Sequence, residues 1–172
     1  MRKTIVMSVV ALLSVVAVAQ QKPVSPRKQA DAKLGNGKTV SVDYGAPSMR
    51  GRKIMGGLVP YGKVWRTGAN EATKFHTASD LTVNGTKVPA GDYTLYTLPG
   101  ESSWKLIINK QTGQWGTEYD ESKDLARIDM NVAKTPAPVE QMELKLEPKG
   151  GDVILHVVWE NTDASVDLKP AS

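Results

Sequence analysis

The sequence contains no cysteine and only two histidines, His76 and His156, among its 172 residues. No disulfide can therefore stabilise the fold. A zinc centre or a cysteine nucleophile is not expected, because either would need side chains that the chain lacks or has in too small a number. The formal net charge is only +4, and no basic run alternates with aromatic residues, so nucleic acid is not predicted as a partner. We expect no metal site and no cofactor.

The N-terminus has the three parts of a signal peptide. Arg2 and Lys3 precede an apolar stretch over residues 5–18, and Ala17-Val18-Ala19 supplies the small residues that signal peptidase recognises. The apolar stretch is shorter than the roughly 20 residues of a membrane-spanning helix, although an uncleaved anchor is the alternative. We predict cleavage after Ala19, a periplasmic or secreted protein, and no stable membrane insertion after cleavage.

Residues 20–38 are polar and contain two prolines and two glycines, which predicts a flexible leader. A single β domain is then predicted over residues 39–172, because apolar and polar residues alternate in short segments. The predicted strands cover residues 39–44, 73–78, 81–83, 86–88, 93–98, 104–109, 126–132, 142–147 and 153–159, with Val166 and Leu168 closing the pattern.

The segments favour an all-β fold, because no part of residues 20–172 repeats apolar residues with the helical period. Asn84-Gly85 predicts a two-residue hairpin turn between two of them. The nearly continuous apolar stretch 153–159 indicates a central strand that is covered on both faces. We predict an antiparallel β-sandwich of about eight or nine strands; a closed or partly open β-barrel is the alternative.

Residues 50–73, RGRKIMGGLVPYGKVWRTGANEAT, follow neither the helical nor the strand period, and we call them the glycine-rich segment. The segment holds five glycines and five Lys or Arg residues. Long irregular stretches in compact domains are usually functional or disordered. Apolar residues such as Ile54, Val59 and Trp65 can anchor this one, so it is predicted to be an ordered loop and the place for a site.

Much of the chain resembles one family. The motifs that carry the resemblance are Gly51–Ile54, Leu58–Gly62, Val64–Thr73, Pro89–Gly91 with Tyr93 and Leu95-Tyr96, Asn109-Lys110, Gln114–Gly116 and Trp159–Asn161. Together they are similar to the bacterial domain of unknown function numbered 2911. The resemblance implies an exported bacterial protein. It implies no activity and assigns no role to any residue.

The cations of the glycine-rich segment suggest an anion site. Five of them, Arg50, Arg52, Lys53, Lys63 and Arg66, have only Glu71 as a local counter-charge. Glycine-rich turns can present backbone N–H groups to an anion, and arginine adds two parallel donors. The alternative is that these cations pair with the acidic loop over residues 118–124 or remain solvated. No phosphate-binding loop motif follows Gly56-Gly57.

A polar group of Arg66, Asn70, Glu71 and His76 suggests catalysis, with arginine orienting a carboxylate and glutamate or histidine acting as base. The other interpretation, which we predict, is structural, with Arg66 and Glu71 forming a buried ion pair across the turn over residues 67–70. His156 is expected to be a packed histidine with its hydrogen bonds satisfied, and not a ligand.

Aromatic residues suggest a surface for stacking a ligand, and the set comprises Tyr61, Trp65, Tyr96, Trp104, Trp115 and Tyr119. Trp115 is the most loop-like of them, whereas Trp65 and Trp104 are expected in the core. No pair of carboxylates lies at convincing positions for a glycosidase.

Two hypotheses follow. The favoured one is a non-enzymatic binding or envelope-associated domain that uses the glycine-rich segment to hold a small ligand, a glycan or an envelope partner. The candidate ligand-binding residues are Arg52, Lys53, Tyr61, Arg66, Asn70, Glu71 and Trp115. The alternative is a hydrolase-type enzyme with Glu71, Arg66 and Asn70 in its site.

Overall fold

The computed structural model describes residues 25–172. The predicted signal peptide and residues 20–24 lie outside the described residues. Nine strands make up almost all of the regular structure: β1 Arg27–Lys33, β2 Thr39–Gly45, β3 Thr73–Thr77, β4 Leu81–Val83, β5 Thr86–Val88, β6 Gly91–Pro99, β7 Trp104–Asn109, β8 Asp124–Lys149 and β9 Asp152–Pro170. One 3₁₀ turn, Glu121–Lys123, precedes β8. The prediction of an all-β fold is confirmed.

The strands form one antiparallel sheet in the order β1-β2-β3-β6-β7-β8-β9-β4-β5. Strands β1 and β5 are its two edges, and within residues 25–172 they do not pair with each other, so the sheet is not closed into a barrel. Among the same residues, no helix is long and apolar enough to cross a membrane.

Strands β8 and β9 are much longer than any predicted strand, at 26 and 19 residues. Their pairing register shifts between Lys134 and Val139 and again between Val139 and Glu143. The first part of β8 pairs with β7, while its last part pairs with the beginning of β9. The predicted strands at 126–132 and 142–147 are therefore two parts of β8, because the interruption shifts the register without ending the strand.

The predicted flexible leader is wrong for residues 27–33, which form β1 and pair in register with β2. Alanine is the only apolar residue type in this strand, RKQADAK. Ala32 is buried and Ala30 packs against the core, so the strand does alternate. Two alanine methyl groups in a polar stretch are too weak a pattern to be recognised as a strand. Residues 27–33 form a strand through their pairing with β2.

The hairpin turn at Asn84-Gly85 is confirmed. Both residues have positive φ, 43° and 80°, as a two-residue turn between β4 and β5 requires. The start of β9 is also confirmed as core, since Leu155 is fully buried. It is not covered on both faces throughout, because Ile154 and His156 are only half-buried.

Candidate functional site

The glycine-rich segment is ordered, and a distant carboxylate holds its first half. Glu160, at the centre of β9, accepts hydrogen bonds from the backbone N–H groups of Ile54 at 3.1 Å and Met55 at 3.0 Å. Ile54 and Met55 are both buried. Glu160 itself has a positive φ of 53°, so the backbone of β9 is bent at the point where its side chain reaches the segment.

A second glutamate holds the entry to the segment. The Glu140 carboxylate accepts a hydrogen bond from the Arg50 N–H at 2.9 Å. Its main-chain oxygen accepts two more, from the Met49 N–H at 2.8 Å and from the Trp159 indole N–H at 3.1 Å. Strands β8 and β9 thus supply acceptors that add to the main-chain hydrogen bonds within the segment's own turns.

Threonine hydroxyls hold the second half. Trp65 exchanges two main-chain hydrogen bonds with Thr97 of β6, at 2.8 and 3.0 Å. The Thr67 hydroxyl lies 2.9 Å from that of Thr97, and the Thr73 hydroxyl donates to the Thr67 carbonyl at 2.8 Å. Thr67 and Asn70 both have positive φ, 51° and 65°. Such backbone costs on the order of 1–3 kcal/mol per residue and persists where the surroundings impose it.

The segment lines the largest cleft described, with a volume of about 550 Å³. Three of the predicted ligand-binding residues, Arg52, Arg66 and Asn70, lie in its wall. The rest of the wall is mostly apolar or aromatic and comprises Ser25, Pro47, Leu58, Val59, Pro60, Val64, Trp65, Gly68, Ala69, Tyr96, Gly116, Thr117, Tyr119 and Trp159. None of these lining residues is an aspartate, a glutamate or a histidine.

The aromatic side of the cleft is built from packed rings. Trp65 stacks on Trp159 with ring centroids 5.9 Å apart and meets Trp104 edge-on at 6.3 Å. Trp104 is buried and Trp65 is partly buried against the core, close to the expectation for both. Tyr96 and Tyr119 pack edge to face at 4.8 Å. Rings held on several sides cannot turn away from a ligand, so this wall has a fixed shape.

The polar ends of these tyrosines are already engaged. The Tyr119 hydroxyl lies 2.5 Å from the Asp124 carboxylate and accepts a hydrogen bond from Arg127 at 2.8 Å. Burial, together with the hydrogen bond to Asp124, raises the pKa of Tyr119 to about 12. The Tyr96 hydroxyl accepts from the buried Gln114 amide at 3.1 Å, and burial raises its pKa. Both tyrosines therefore keep their protons, and the half-buried Tyr119 offers the cleft ring surface, whereas Tyr96 is buried.

The guanidinium of Arg66 is partly buried, and within residues 25–172 only its Nε forms a hydrogen bond. Its Nε donates to the Gly68 carbonyl at 3.2 Å. Within residues 25–172, its two terminal amino groups make no hydrogen bond or ion pair. The side chain lies against Gly116, where an added Cβ would stand 2.8 Å from Arg66 Cδ and 2.7 Å from the Asn70 carbonyl. The absence of a side chain at Gly116 therefore leaves room for the Arg66 side chain.

Arg52, at the other end of the segment, is exposed and is bound to the segment's own entry. It donates from Nε to the Met49 carbonyl at 2.9 Å and from Nη2 to the Ser48 carbonyl at 2.8 Å. These bonds fix the guanidinium in the cleft wall without neutralising it. The two cations of the cleft thus differ, since Arg66 has both terminal amino groups free of protein partners and Arg52 does not.

The predicted ion pair between Arg66 and Glu71 is wrong. Glu71 is 58% exposed and its carboxylate faces Arg27 of β1 at 3.6 Å. The cause is the backbone: Glu71 forms an isolated antiparallel bridge with Trp115, which turns its side chain away from Arg66. Glu71 and Trp115 line a separate pocket of about 350 Å³.

The remaining candidates lie elsewhere on the surface. Lys53 and Lys63 are exposed, and the Tyr61 ring lies over Gly56 with 39% of the residue exposed. His76 pairs with Asp92 at 2.8 Å. His156 is satisfied only in part, because its Nδ1 lies 2.9 Å from the Asp163 carboxylate while its Nε2 is buried without a hydrogen-bond partner among the described residues. These histidines are outside the cleft wall.

Two carboxylates of the acidic loop have their ion-pair partner outside the glycine-rich segment. Glu121 and Asp124 bind Arg127 instead, at 2.9 and 3.0 Å. In the described part of the chain, no group of three or more His, Cys, Asp or Glu residues is placed to hold a metal ion.

Sequence reasoning missed Glu140 and Glu160. Glu160 belongs to one of the motifs that carried the family resemblance, but nothing local in the sequence indicated what it binds. Its partners Ile54 and Met55 are more than a hundred positions away, at separations of 106 and 105 residues.

One comparison with known proteins gives a match. The family described as "Protein of unknown function (DUF2911)" matches residues 25–168, which include β1 and nearly all of β9. No curated protein and no solved structure matches the chain.

Proposed function

We propose, from the premise that the chain belongs to the DUF2911 family, that it is a non-enzymatic binding domain that holds a small anionic ligand in the cleft along the glycine-rich segment. The observation that carries this proposal is Arg66. A half-buried guanidinium whose two terminal amino groups have no protein partner within residues 25–172 is suited to an oxyanion, because its planar fork can donate two parallel hydrogen bonds. Its two free amino groups lie in the wall of a cleft that has no acidic lining residue.

The form of the cleft supports the same conclusion. Small-molecule sites are usually concave, about 300–1,000 Å³ in volume and mostly apolar, with a few placed polar groups. The present cleft has a volume of about 550 Å³, and its charged side chains are both arginines. Its shape is set in advance by the bonds from Glu140, Glu160 and the threonines, which reduces the ordering cost of binding.

The hydrolase alternative is less well supported. It needs Glu71 beside Arg66 and Asn70 as a general base, within about 3 Å of the proton it removes or one water away. Glu71 instead lies in a different pocket and faces Arg27. The lining residues of the cleft include no other carboxylate and no histidine, so a base is missing on the side where Arg66 lies.

We further infer an exported protein whose sheet folds over itself as a sandwich. The tripartite N-terminus supports export to the periplasm or beyond. Main-chain hydrogen bonds from Gly35 N to Gly151 O at 2.8 Å and from Met142 N to Pro47 O at 2.9 Å support the sandwich. These bonds bring the β8–β9 hairpin against the end of β1 and the end of β2.

Purification from the native host without denaturation, followed by native mass spectrometry, tests the proposal. We expect the wild-type protein to carry a small anionic molecule, and Arg66→Met to lose it. Lys87→Met is the matched control, because Lys87 is an exposed cation on β5 and does not line the cleft. A wild-type protein that carries no small molecule, and whose melting temperature no added anion raises, would contradict the proposed function. Loss of the ligand in Lys87→Met as well would show only a non-specific charge effect and would contradict it too.

A further inference from the structure

We propose that the ligand is a flat ring that carries one oxyanion, a carboxylate or a phosphoryl group, with the oxyanion on Arg66 and the ring against Tyr119 and Trp65. This inference rests on the proposed function and specifies its ligand. It follows from the hydrogen-bond donors and the ring surface in the cleft that are not already used in contacts within the protein.

The oxyanion end is defined by the bonds that Arg66 already makes. Because Nε is held by the Gly68 carbonyl, the plane of the guanidinium is fixed. The remaining donors are the two terminal amino groups, which together match the two oxygens of a carboxylate or phosphoryl group. Asn70 lines the same cleft. Within residues 25–172 its amide makes a single long bond of 3.5 Å, to the Ser25 carbonyl, so it is available as a further donor.

The ring end is defined by the aromatic wall. The hydroxyls of Tyr96 and Tyr119 and the indole N–H of Trp159 are all bound to protein groups. Tyr96 and Trp159 are buried, each 1% exposed, so the ring surface left for a ligand is that of the half-buried Tyr119 and Trp65. Another flat ring packs on such a surface in an offset or edge-to-face arrangement. The neighbouring side chains Pro60 and Val64 add apolar surface.

An acidic sugar is the closest alternative and is less favoured. A sugar stacks on aromatic rings, but its hydroxyls need several hydrogen-bonding partners when they are buried. The side chains in the wall that can serve are Ser25, Asn70 and Thr117, besides the two arginines. These are few, so a ring with a single polar group suits the wall better.

Isothermal titration calorimetry on the mature protein tests the ligand class, with 2-naphthoate and 2-naphthyl phosphate as the two oxyanion probes. We expect one or both to bind. Uncharged 2-naphthamide, which keeps the ring, and acetate, which keeps the charge, should each bind about tenfold more weakly or worse, since each loses one of the two contacts. The preference between the two oxyanions separates a carboxylate ligand from a phosphoryl ligand.

Variants assign the two ends of the ligand. Arg66→Met should weaken 2-naphthoate binding by about tenfold or more, and Arg66→Lys should weaken it too, because a lysine lacks the planar fork. Tyr119→Leu should weaken 2-naphthoate but not acetate. Lys87→Met should bind as the wild type does. If Tyr119→Leu does not fold, intermolecular nuclear Overhauser contacts between 2-naphthoate and the Tyr119 ring in the wild type test the same contact.

The failure of this inference is distinguishable from the failure of the proposed function. Binding of glucuronate or acetate as tightly as 2-naphthoate, or equal binding of 2-naphthamide, would overturn the ligand class while an anion or small-molecule site remained. Wild-type affinity in Arg66→Met would overturn the anchor. If none of these probes binds and the natively purified protein is empty, both proposals fail.

Discussion

The β8–β9 hairpin and the glycine-rich segment meet at Glu160, and they are held in shape in opposite ways. The hairpin is held by main-chain pairs between neighbouring strands, from Lys149↔Asp152 outward. The segment has only isolated bridges, such as Met55↔Val59 and Trp65↔Thr97. Several of its backbone groups pair within its own turns or with the main chain of other elements, and others are bound by side chains, above all by Glu140, Glu160 and Thr73.

This difference shows how an irregular site can be rigid. The stability of a strand pair is distributed over many equivalent main-chain hydrogen bonds, so no single side chain determines it. The segment relies, besides its own turns, on a few side chains, and Glu160 among them satisfies two donors of buried residues that would otherwise be orphaned. Substitutions should therefore act through core packing in the hairpin and through lost acceptors in the segment.

The largest difference in stability is expected between two substitutions, one placed in each region. Leu155→Asp puts an unpaired carboxylate at a fully buried position of β9, which should cost more than about 4 kcal/mol and abolish cooperative folding. Leu58→Asp in the glycine-rich segment, where the side chain is 49% exposed, should change the free energy of unfolding by only about 0.5 kcal/mol. Thermal and chemical denaturation measure both. Equal melting temperatures for the two variants would contradict the assignment of Leu155 to the core.

A smaller effect is expected where the two regions meet. Glu160→Ala removes the acceptor for the N–H groups of two buried residues, at about 1–3 kcal/mol each, so a loss of about 2–6 kcal/mol is expected. Limited proteolysis should then cut near residues 54–62 first, because the segment loosens before the sheet does. Glu101→Ala, at an exposed turn, is the control. Unchanged stability and protease resistance in Glu160→Ala would show that the segment does not depend on β9.

The stability that Tyr119 in the aromatic wall contributes to the fold should depend modestly on pH. Because the pKa of Tyr119 is raised to about 12 in the fold, from an ordinary value of about 10, the folded state retains a proton that the unfolded state loses. The resulting stability is fully present below about pH 10 and is lost as the pH rises toward 12. The free energy of unfolding of the wild type, minus that of Tyr119→Phe, should fall over this range. Phenolate absorbance that shows all five tyrosines ionising near pH 10 would contradict the raised pKa.

The smallest effect is expected within the turn over residues 67–70. A double-mutant cycle on Arg66→Ala and Glu71→Gln should give a coupling energy near zero, because the two side chains are not paired. Glu71→Gln alone should cost less than about 1 kcal/mol, the range of an exposed ion pair, since Glu71 is 58% exposed and lies 3.6 Å from Arg27. Thermal melting of the four proteins measures this. A coupling above about 1 kcal/mol would restore the ion pair that the backbone at Trp115 separates.

The strands were predictable wherever a strand carries its own pattern. Val40, Val42 and Tyr44 alternate with polar residues, and Asn84-Gly85 is a turn by its own chemistry, so both were found. Strand β1 was missed because alanine contributes little apolar contrast. The bulged β8 was divided in two because a register shift resembles a loop in a linear pattern.

The candidate site was predictable only in part. The glycine-rich composition located the cleft, and Arg52, Arg66 and Asn70 lie in its wall. The direction of the Glu71 side chain depends on a bridge to Trp115, and the shape of the segment depends on Glu160, 106 positions from Ile54. Contacts between residues so far apart leave no period in the sequence from which they could be recognised.

The position of the β4–β5 hairpin has a consequence for synthesis and quality control. These strands are made in the middle of the chain, yet their partner in the sheet is the very end of β9, where Val83 pairs with Leu168 and Leu81 with Pro170. A two-stranded hairpin is barely stable alone in water, and an unpaired edge promotes aggregation. A chain that is cut short before Leu168 therefore leaves Leu81, Val83 and Val88 uncovered, all three fully buried in the fold. A chain truncated before Leu168 is therefore expected to aggregate more readily than one that reaches Pro170.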